Sequence, residues 1–501
     1  MKHARSVHVL GLLFSLSLVN IGCAPKKQTT AQVPVAPTAS WKDIKIASLP
    51  DFHPAQPKRV ELPNGMVIFL QEDHELPTIE GTARIRGGGR RVPANKTGLI
   101  DVYGEVWRTG GTKSQTGDQL DDFLEQRAAK VETDGNADST TISFSCLKED
   151  FDDVFRVFDD LLRNPEFRAD KIQIAQKGEY DAISRRNDDP SQIAGREAAK
   201  LVYGANNPYA RVPEYASVAS ITRQDLEEWH STYVHPNNII LGVVGDFDSA
   251  KMESRLREAF ASWAKGTAVK DSEIKPEPAK PAYYLVEKTD VNQSNIEMVA
   301  LGTTRRNPDY YAISVFNEAF GGGFSSRLFS DIRTTKGLAY AVGGGVGTSW
   351  DHDGMLRLMV STKSATTFES IQALDQEIAG LPKNPLSEDE IKRAKDAILN
   401  SFVFRFDSPE KVLREKMAYE FYGYPLDFLE NFQKQIEKVT QADVARVAAK
   451  YLHRDQMAVL VVGNSSEFDN QPASLGPVNK LDITIPAPPP GIVPEQGGPG
   501  Q

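Results

Sequence analysis

A chain of 501 residues is too long for one hydrophobic core, so two or more domains are expected. Apolar residues make up 40% and charged residues 25%, ordinary proportions for a soluble globular protein. The net charge of −10 argues against nucleic acid as a partner, because a phosphate backbone requires a basic footprint.

At the N-terminus, Lys2, His3 and Arg5 precede an apolar run from Val7 to Ile21, followed by Gly22 and Cys23. This is the layout of a secretory signal peptide, expected over residues 1–23, with a hydrophobic stretch too short to span a bilayer comfortably. Ile21-Gly22-Cys23 resembles a bacterial lipobox, with Asn20 where leucine is usual, so Cys23 is the candidate for lipidation. Cleavage after a small residue without lipid, or an uncleaved anchor, are the alternatives. Ala24 resembles the sorting context for the outer membrane, which makes the expected location the periplasmic side of the cell envelope, anchored as a lipoprotein. Residues 24–55 are rich in Pro and Ala and read as a flexible tether.

Globular sequence begins near residue 56, with two strand-like runs flanking the turn signal Pro63-Asn64-Gly65. A further strand is expected over 79–86, then a helix between Gly98 and the Gly110-Gly111 pair. In that helix Leu99, Val102, Val106 and Trp107 form one apolar face, and Asp101 and Glu105 lie four residues apart on another. A helix over 116–129 and a strand over 140–147 follow. The next helix, 149–162, is strongly amphipathic, with Phe151, Val154, Phe155, Phe158 and Leu162 at helical spacing. Residues 170–186 form another helix, closed by Asn187-Asp188-Asp189-Pro190. Cys146, the only other cysteine, sits in the alternating stretch 140–147 and reads as a buried inert thiol rather than a nucleophile, with no histidine close in sequence.

The strongest internal signal is a repeat. Ile221-Thr222-Arg223-Gln224-Asp225, His235 and Val243-Val244-Gly245 recur as Val439-Thr440-Gln441-Ala442-Asp443, His453 and Val461-Val462-Gly463, each 218 residues later. Each copy reads as a threonine N-cap, a helix, a turn and a buried strand. Two halves of similar size are implied: 56–265 and 282–470, joined by a Pro-rich charged linker over 266–281. Residues 471–501 are Pro-rich and read as a disordered tail. His235 and His453 occupy equivalent turns, which fits a helix-end hydrogen bond better than a metal site. The Gly321-Gly322-Gly323 run lacks the ending of a phosphate loop and suggests local backbone flexibility.

Several separate motifs resemble the pitrilysin/insulinase family of zinc metallopeptidases. They are Leu62-Pro-Asn-Gly-Met-Val67, Asn206-Asn-Pro-Tyr209, the segment from Ile221 to Asp246 and, most specifically, the run from Phe320 through Gly321-Gly322-Gly323 and Arg327 to Tyr340. The resemblance covers roughly residues 57–470. It implies an α+β fold of two homologous halves, each an antiparallel-rich sheet packed with helices, closing like a processing-peptidase clamshell around a peptide-holding chamber. In active members a His-x-x-Glu-His helix supplies two zinc ligands and the catalytic base, and a later helix supplies a glutamate ligand. Here the matching positions are Asp101, Gly104, Glu105 and Ala182, so the chain is expected to bind no cofactor and to lack a catalytic centre of its own. Two carboxylates at this spacing could touch calcium or magnesium, but those ions need about six oxygens, and a solvated helix face is the simpler reading.

Arg333 and Tyr340 match the arginine and tyrosine that in the family reach the scissile peptide across the chamber, where such donors stabilise an oxyanion. The alternative is a surface charge and a strand core residue. The favoured expectation is a non-catalytic subunit that binds peptides or unfolded protein and pairs with a homologous zinc-bearing subunit as a cell-envelope heterodimer. The rivals are a stand-alone peptide-binding or structural envelope protein, and a metalloendopeptidase with an atypical metal site.

Overall fold

The computed structural model describes residues 56–269 and 273–492. The signal peptide, Cys23 and the tether therefore lie outside the described residues, as does the end of the tail. Among the described residues no helix is long and apolar enough to cross a membrane.

The turn at Pro63-Asn64-Gly65 joins β1 (Lys58–Glu61) to β2 (Val67–Glu72) in an antiparallel hairpin, and Gly65 takes the positive φ of +85° that the turn requires. Then come β3 (Thr78–Arg86), α1 (Leu99–Thr109), α2 (Gly117–Glu125), β4 (Lys130–Gly135) and β5 (Ser139–Leu147). Four helices follow: α3 (Phe151–Arg163), α4 (Ala169–Arg185), α5 (Pro190–Tyr203) and the short α6 (Tyr215–Ala219). The first half closes with α7 (Arg223–Tyr233), β6 (Ile239–Gly245) and α8 (Ser249–Phe260).

The second half opens with β7 (Tyr283–Glu287), β8 (Gln293–Leu301) and β9 (Thr303–Thr304). After α9 (Tyr310–Asn317) come β10 (Ala339–Gly345), β11 (Thr348–Ser349) and β12 (Met355–Lys363). The helices α10 (Thr367–Gly380), α11 (Glu388–Phe402), α12 (Pro409–Tyr422), α13 (Phe428–Lys438) and α14 (Gln441–Tyr451) lead to β13 (Ala458–Gly463) and β14 (Val478–Lys480).

The two halves repeat one plan. The first sheet runs β1-β2-β6-β3-β5-β4 and the second, read from its far edge, β14-β7-β13-β8-β12-β10. In each, an equivalent parallel pair (β2 with β6, β7 with β13) is followed by antiparallel neighbours, while the outer strand is antiparallel in the first sheet (β1) and parallel in the second (β14). The repeated threonines act as read from the sequence: Thr222 and Thr440 each close a reciprocal capping box with Asp225 and Asp443. His453 accepts the helix-end role through its contact with the Lys450 carbonyl at 3.1 Å, whereas the His235 ring packs against Gly266.

Alternation along the strands assigns one sheet face to each half's own core. Ile79, Ala83, Ile85, Ile142, Phe144 and Cys146 face the aromatic stripe of α3. The Cys146 thiol is buried there and pushed up to about 12, so it is inert. Every residue of β6 is buried, because its other face is covered too.

The cover comes from the opposite half. Helix α12 of the second half lies across β2 and β6 of the first, and α5 of the first lies across β8 and β13 of the second. The two helices are equivalent, 219 residues apart: each starts at a capped proline (Asp189-Pro190, Ser408-Pro409) and ends at a glycine (Gly204, Gly423). The contacts are complementary in size. Ala194 and Ala198 of α5 share a core cluster with Leu460 of β13. At the equivalent places α12 carries Leu413 and Met417, and the strand carries Gly242, where an added Cβ would stand 2.3 Å from the Met417 sulfur. Polar anchors mirror each other as well. The Tyr203 hydroxyl donates to the Asp353 carbonyl (3.0 Å) and the Tyr422 hydroxyl to Asp138 (2.8 Å).

The stretch after Asn470 departs from the sequence reading, which took all of it as disordered. Val478–Lys480 adds a parallel strand to β7, Leu481 and Ile483 pack on the cluster around α5, and Ile485 reaches the core of the first half. Alternate apolar residues in an otherwise Pro-rich tail supply the burial. The described part of the linker is equally attached, with Glu277 and Ala279 donating to the carbonyls of Tyr203 and Leu201 at the end of α5.

The size complementarity gives a direct test. Gly242→Leu should lower stability in denaturant melts by about 1–3 kcal/mol through overpacking, and adding Leu413→Ala and Met417→Ala should recover part of the loss.

Candidate functional site

Helix α1 is fixed from beneath by contacts that involve no metal. Gly98 enters it at φ +101°, and Leu99, Val102, Tyr103, Val106 and Trp107 are buried. The Trp107 indole N–H donates to the Leu161 carbonyl (2.8 Å), and Arg108 Nε to the Val131 carbonyl (2.8 Å). The Tyr103 hydroxyl meets His230 Nδ1 at 2.8 Å, within a cluster completed by Phe167 and Trp229. That surrounding lowers the His230 imidazole to about 3: desolvation dominates, and a hydrogen bond to the Leu162 carbonyl only partly opposes it.

On the opposite face Asp101 and Glu105 are exposed in a recess shared with Glu132 and Asp134 of β4. The protein around Asp101, then the Asp134 charge, raise its carboxyl above the usual range. Glu179, one turn before Ala182 on α4, joins them: burial first, then the charges of Asp101 and Glu105, push it up to about 7. Ala182 is exposed on α4 and offers no donor atom. Asp181, the other nearby acid, lies instead in the field of Tyr215. Among the described residues no group of three His, Cys, Asp or Glu side chains could hold a metal ion.

Gly104 is the decisive position. An added Cβ there would stand 2.9 Å from the Gly135 nitrogen and 3.1 Å from the Asp134 carbonyl carbon. The Thr133 hydroxyl donates to the Gly104 carbonyl, and a Cβ at Gly135 would in turn meet Ile100 at 2.3 Å. Helix and strand thus touch backbone to backbone where an active enzyme carries its glutamate. These residues do not fit zinc, and no hydrolytic step can be routed through them.

Arg333 and Tyr340 lie in the second half. Arg333 is exposed on a π-helical segment, Phe329–Thr335, with its guanidinium 4.7 Å over the Phe329 ring. Tyr340 is 53% exposed on the edge strand β10, so it is not a strand core residue. None of their described contacts reaches Asp101, Gly104, Glu105 or Ala182. The glycine run is less free than its sequence suggests: Gly321 is buried, and an added Cβ would meet the Gly344 carbonyl of β10 at 2.5 Å.

A family model described as insulinase (peptidase family M16) matches residues 107–199, and one described as the peptidase M16 inactive domain matches 220–398. The first match starts two residues beyond Glu105. A Helicobacter pylori protein named non-peptidase homolog YmxG is 23% identical over 409 residues, covering 80% of this chain and 92% of its own. An uncharacterized zinc protease YmxG of Bacillus subtilis is 21% identical, over 70% of this chain and 85% of its own. Among solved structures, a peptidase M16 inactive domain from Pseudomonas fluorescens superimposes with TM-score 0.73 at 23% identity, covering 82% of this chain and 98% of that one. A Helicobacter pylori protease gives TM-score 0.71 at 18% identity, over 82% and 100%.

Two outcomes follow from this geometry. Gly104→Glu should destabilise the chain by about 1–3 kcal/mol in denaturant melts, and Asp101→His with Gly104→Glu and Glu105→His should still purify without stoichiometric zinc, since Ala182 leaves the third ligand missing. For His230 the folded pKa lies below the unfolded one, so its share of stability is complete above about pH 6.5 and is lost as pH falls toward 3, on the order of a few kcal/mol. Melts of His230→Gln across that window should show a flatter acid limb.

Proposed function

The chain belongs to the M16 (insulinase) peptidase family, and on that footing we propose that it is a non-catalytic subunit that holds extended peptides for a homologous, zinc-bearing partner. The observation that carries this reading is the asymmetry between the halves. The first has exchanged its ligands for Asp101, Glu105 and Ala182 and closed backbone over Gly104, while the second keeps Arg333 and Tyr340 exposed. A guanidinium and a phenol offered to solvent from a chain with no metal centre are useful where another subunit brings the metal. Zinc therefore belongs to the partner in this proposal, and peptide or unfolded protein is the substrate. The signal-peptide layout and Cys23 add a location: exported and lipid-anchored at the outer membrane, on its periplasmic side.

Affinity capture of the tagged full-length chain from its native membranes tests the pairing. The expected result is a co-purifying homologue that carries His-x-x-Glu-His, with about one zinc per complex. Recovery of this chain without any such homologue would overturn it. Within the complex, Arg333→Ala with Tyr340→Phe should lower cleavage of an unstructured peptide by about 10²–10³-fold while the subunits stay together. Metabolic labelling with palmitate should mark the wild type and not Cys23→Ala.

A further inference from the structure

Strand β3 sends Ile79, Ala83 and Ile85 into the core, so Glu80, Thr82 and Arg84 line its other face. There they bound a cavity of about 410 Å³ between the first sheet and α12, walled on the apolar side by Leu413 and Met417. The volume is that of a small-ligand site. Its two charged ends are opposite in sign and incompletely used. The exposed Glu80 carboxylate makes no hydrogen bond or close ion pair with any described residue, although Arg414 acts on it through its charge. Arg84 donates Nε to Ser139 (3.1 Å) and Nη2 to Tyr422 (3.0 Å), with its guanidinium 4.0 Å over the Phe421 ring. Its Nη1 has no acceptor among the described residues. Glu410 and Arg414, at the α12 side of the cavity, neutralise each other.

We propose that this cavity binds a short zwitterionic peptide of two or three residues, its ammonium on Glu80 and its carboxylate on Arg84. The spacing sets the length. Four residues of strand separate the two Cα atoms by roughly 13 Å, and an extended tripeptide spans about 10 Å, leaving each side chain to reach inward for one hydrogen bond. A lining of balanced charge and one apolar wall suits a ligand with both signs and a small apolar middle better than a single ion. Burial and the neighbouring Glu410 raise the Glu80 carboxyl, with Arg414 opposing them only in part, a net cost that an incoming ammonium offsets. The inference rests on the reading of the chain as peptide-holding and adds a site of its own between the first sheet and α12.

Calorimetric titration of the full-length protein with Ala-Leu-Ala, its N-acetyl form and its C-terminal amide tests it. The free peptide should bind, and blocking either end should weaken it about ten-fold. Glu80→Gln should weaken the free peptide by the same factor and leave the N-acetyl form unchanged, whereas Arg84→Gln, checked for an intact melt, should do the converse. Equal binding of blocked and free peptides, or no binding of any, overturns the proposal. If an unfolded polypeptide binds but Ala-Leu-Ala does not, this inference fails and the chamber reading stands. If only Ala-Leu-Ala binds, with its ends required, the inference stands and the wider reading fails.

Discussion

The exchange of one helix between halves is the constraint on which the rest of the architecture depends. Without α12, the outer face of β2 and β6 would present Phe69, Ile240 and Val244 to water, and without α5 the second sheet would expose Val286, Val299 and Leu460. Each buried aliphatic or aromatic side chain contributes roughly 1.5–3 kcal/mol, so neither sheet is satisfied by its own half. The exchange also shapes the space between the halves' elements. It roofs the cavity over β3 with Leu413 and Met417, and it brings Tyr422 onto Arg84 and Asp138. A size swap, glycine under large residues on one side and leucine near alanines on the other, makes the two crossings equivalent without being identical.

The seat of helix α1 and the residues on its exposed face are held by different forces. Helix α1 is anchored through Tyr103, Trp107 and Arg108 to groups behind it, none of which needs an ion in front. At position 104 the glycine lets strand β4 lie backbone to backbone against the helix. Burial first, then the charges of Asp101 and Glu105, raise the Glu179 carboxyl beside them.

Much of this was legible in the sequence. The stripe of α3, the hairpin at Asn64-Gly65 and the paired capping boxes followed from periodicity and cap chemistry, which are local. The 218-residue repeat announced two equivalent halves. What was not legible is what depends on which surface meets which. The apolar face of α5 shows that the helix is buried but not under whose sheet. Gly104 reads as a helix-weakening residue until the backbone of Asp134 and Gly135 is found against it. Three strand residues in a Pro-rich tail fall below any pattern, and β14 becomes visible only through its pairing with β7.

The reciprocal crossing has a consequence for how the polypeptide is made. A nascent chain that has just completed β6 holds a finished sheet with one greasy side bare, and the segment that will cover it ends at Tyr422, well over a hundred residues later. Until then the apolar side of the first sheet lacks its cover, and helix α5 gains its own only as β8 and then β13 of the second half form. Both crossings therefore wait on elements of the second half. Splitting the gene between the halves would yield two insoluble pieces that need each other's presence to fold.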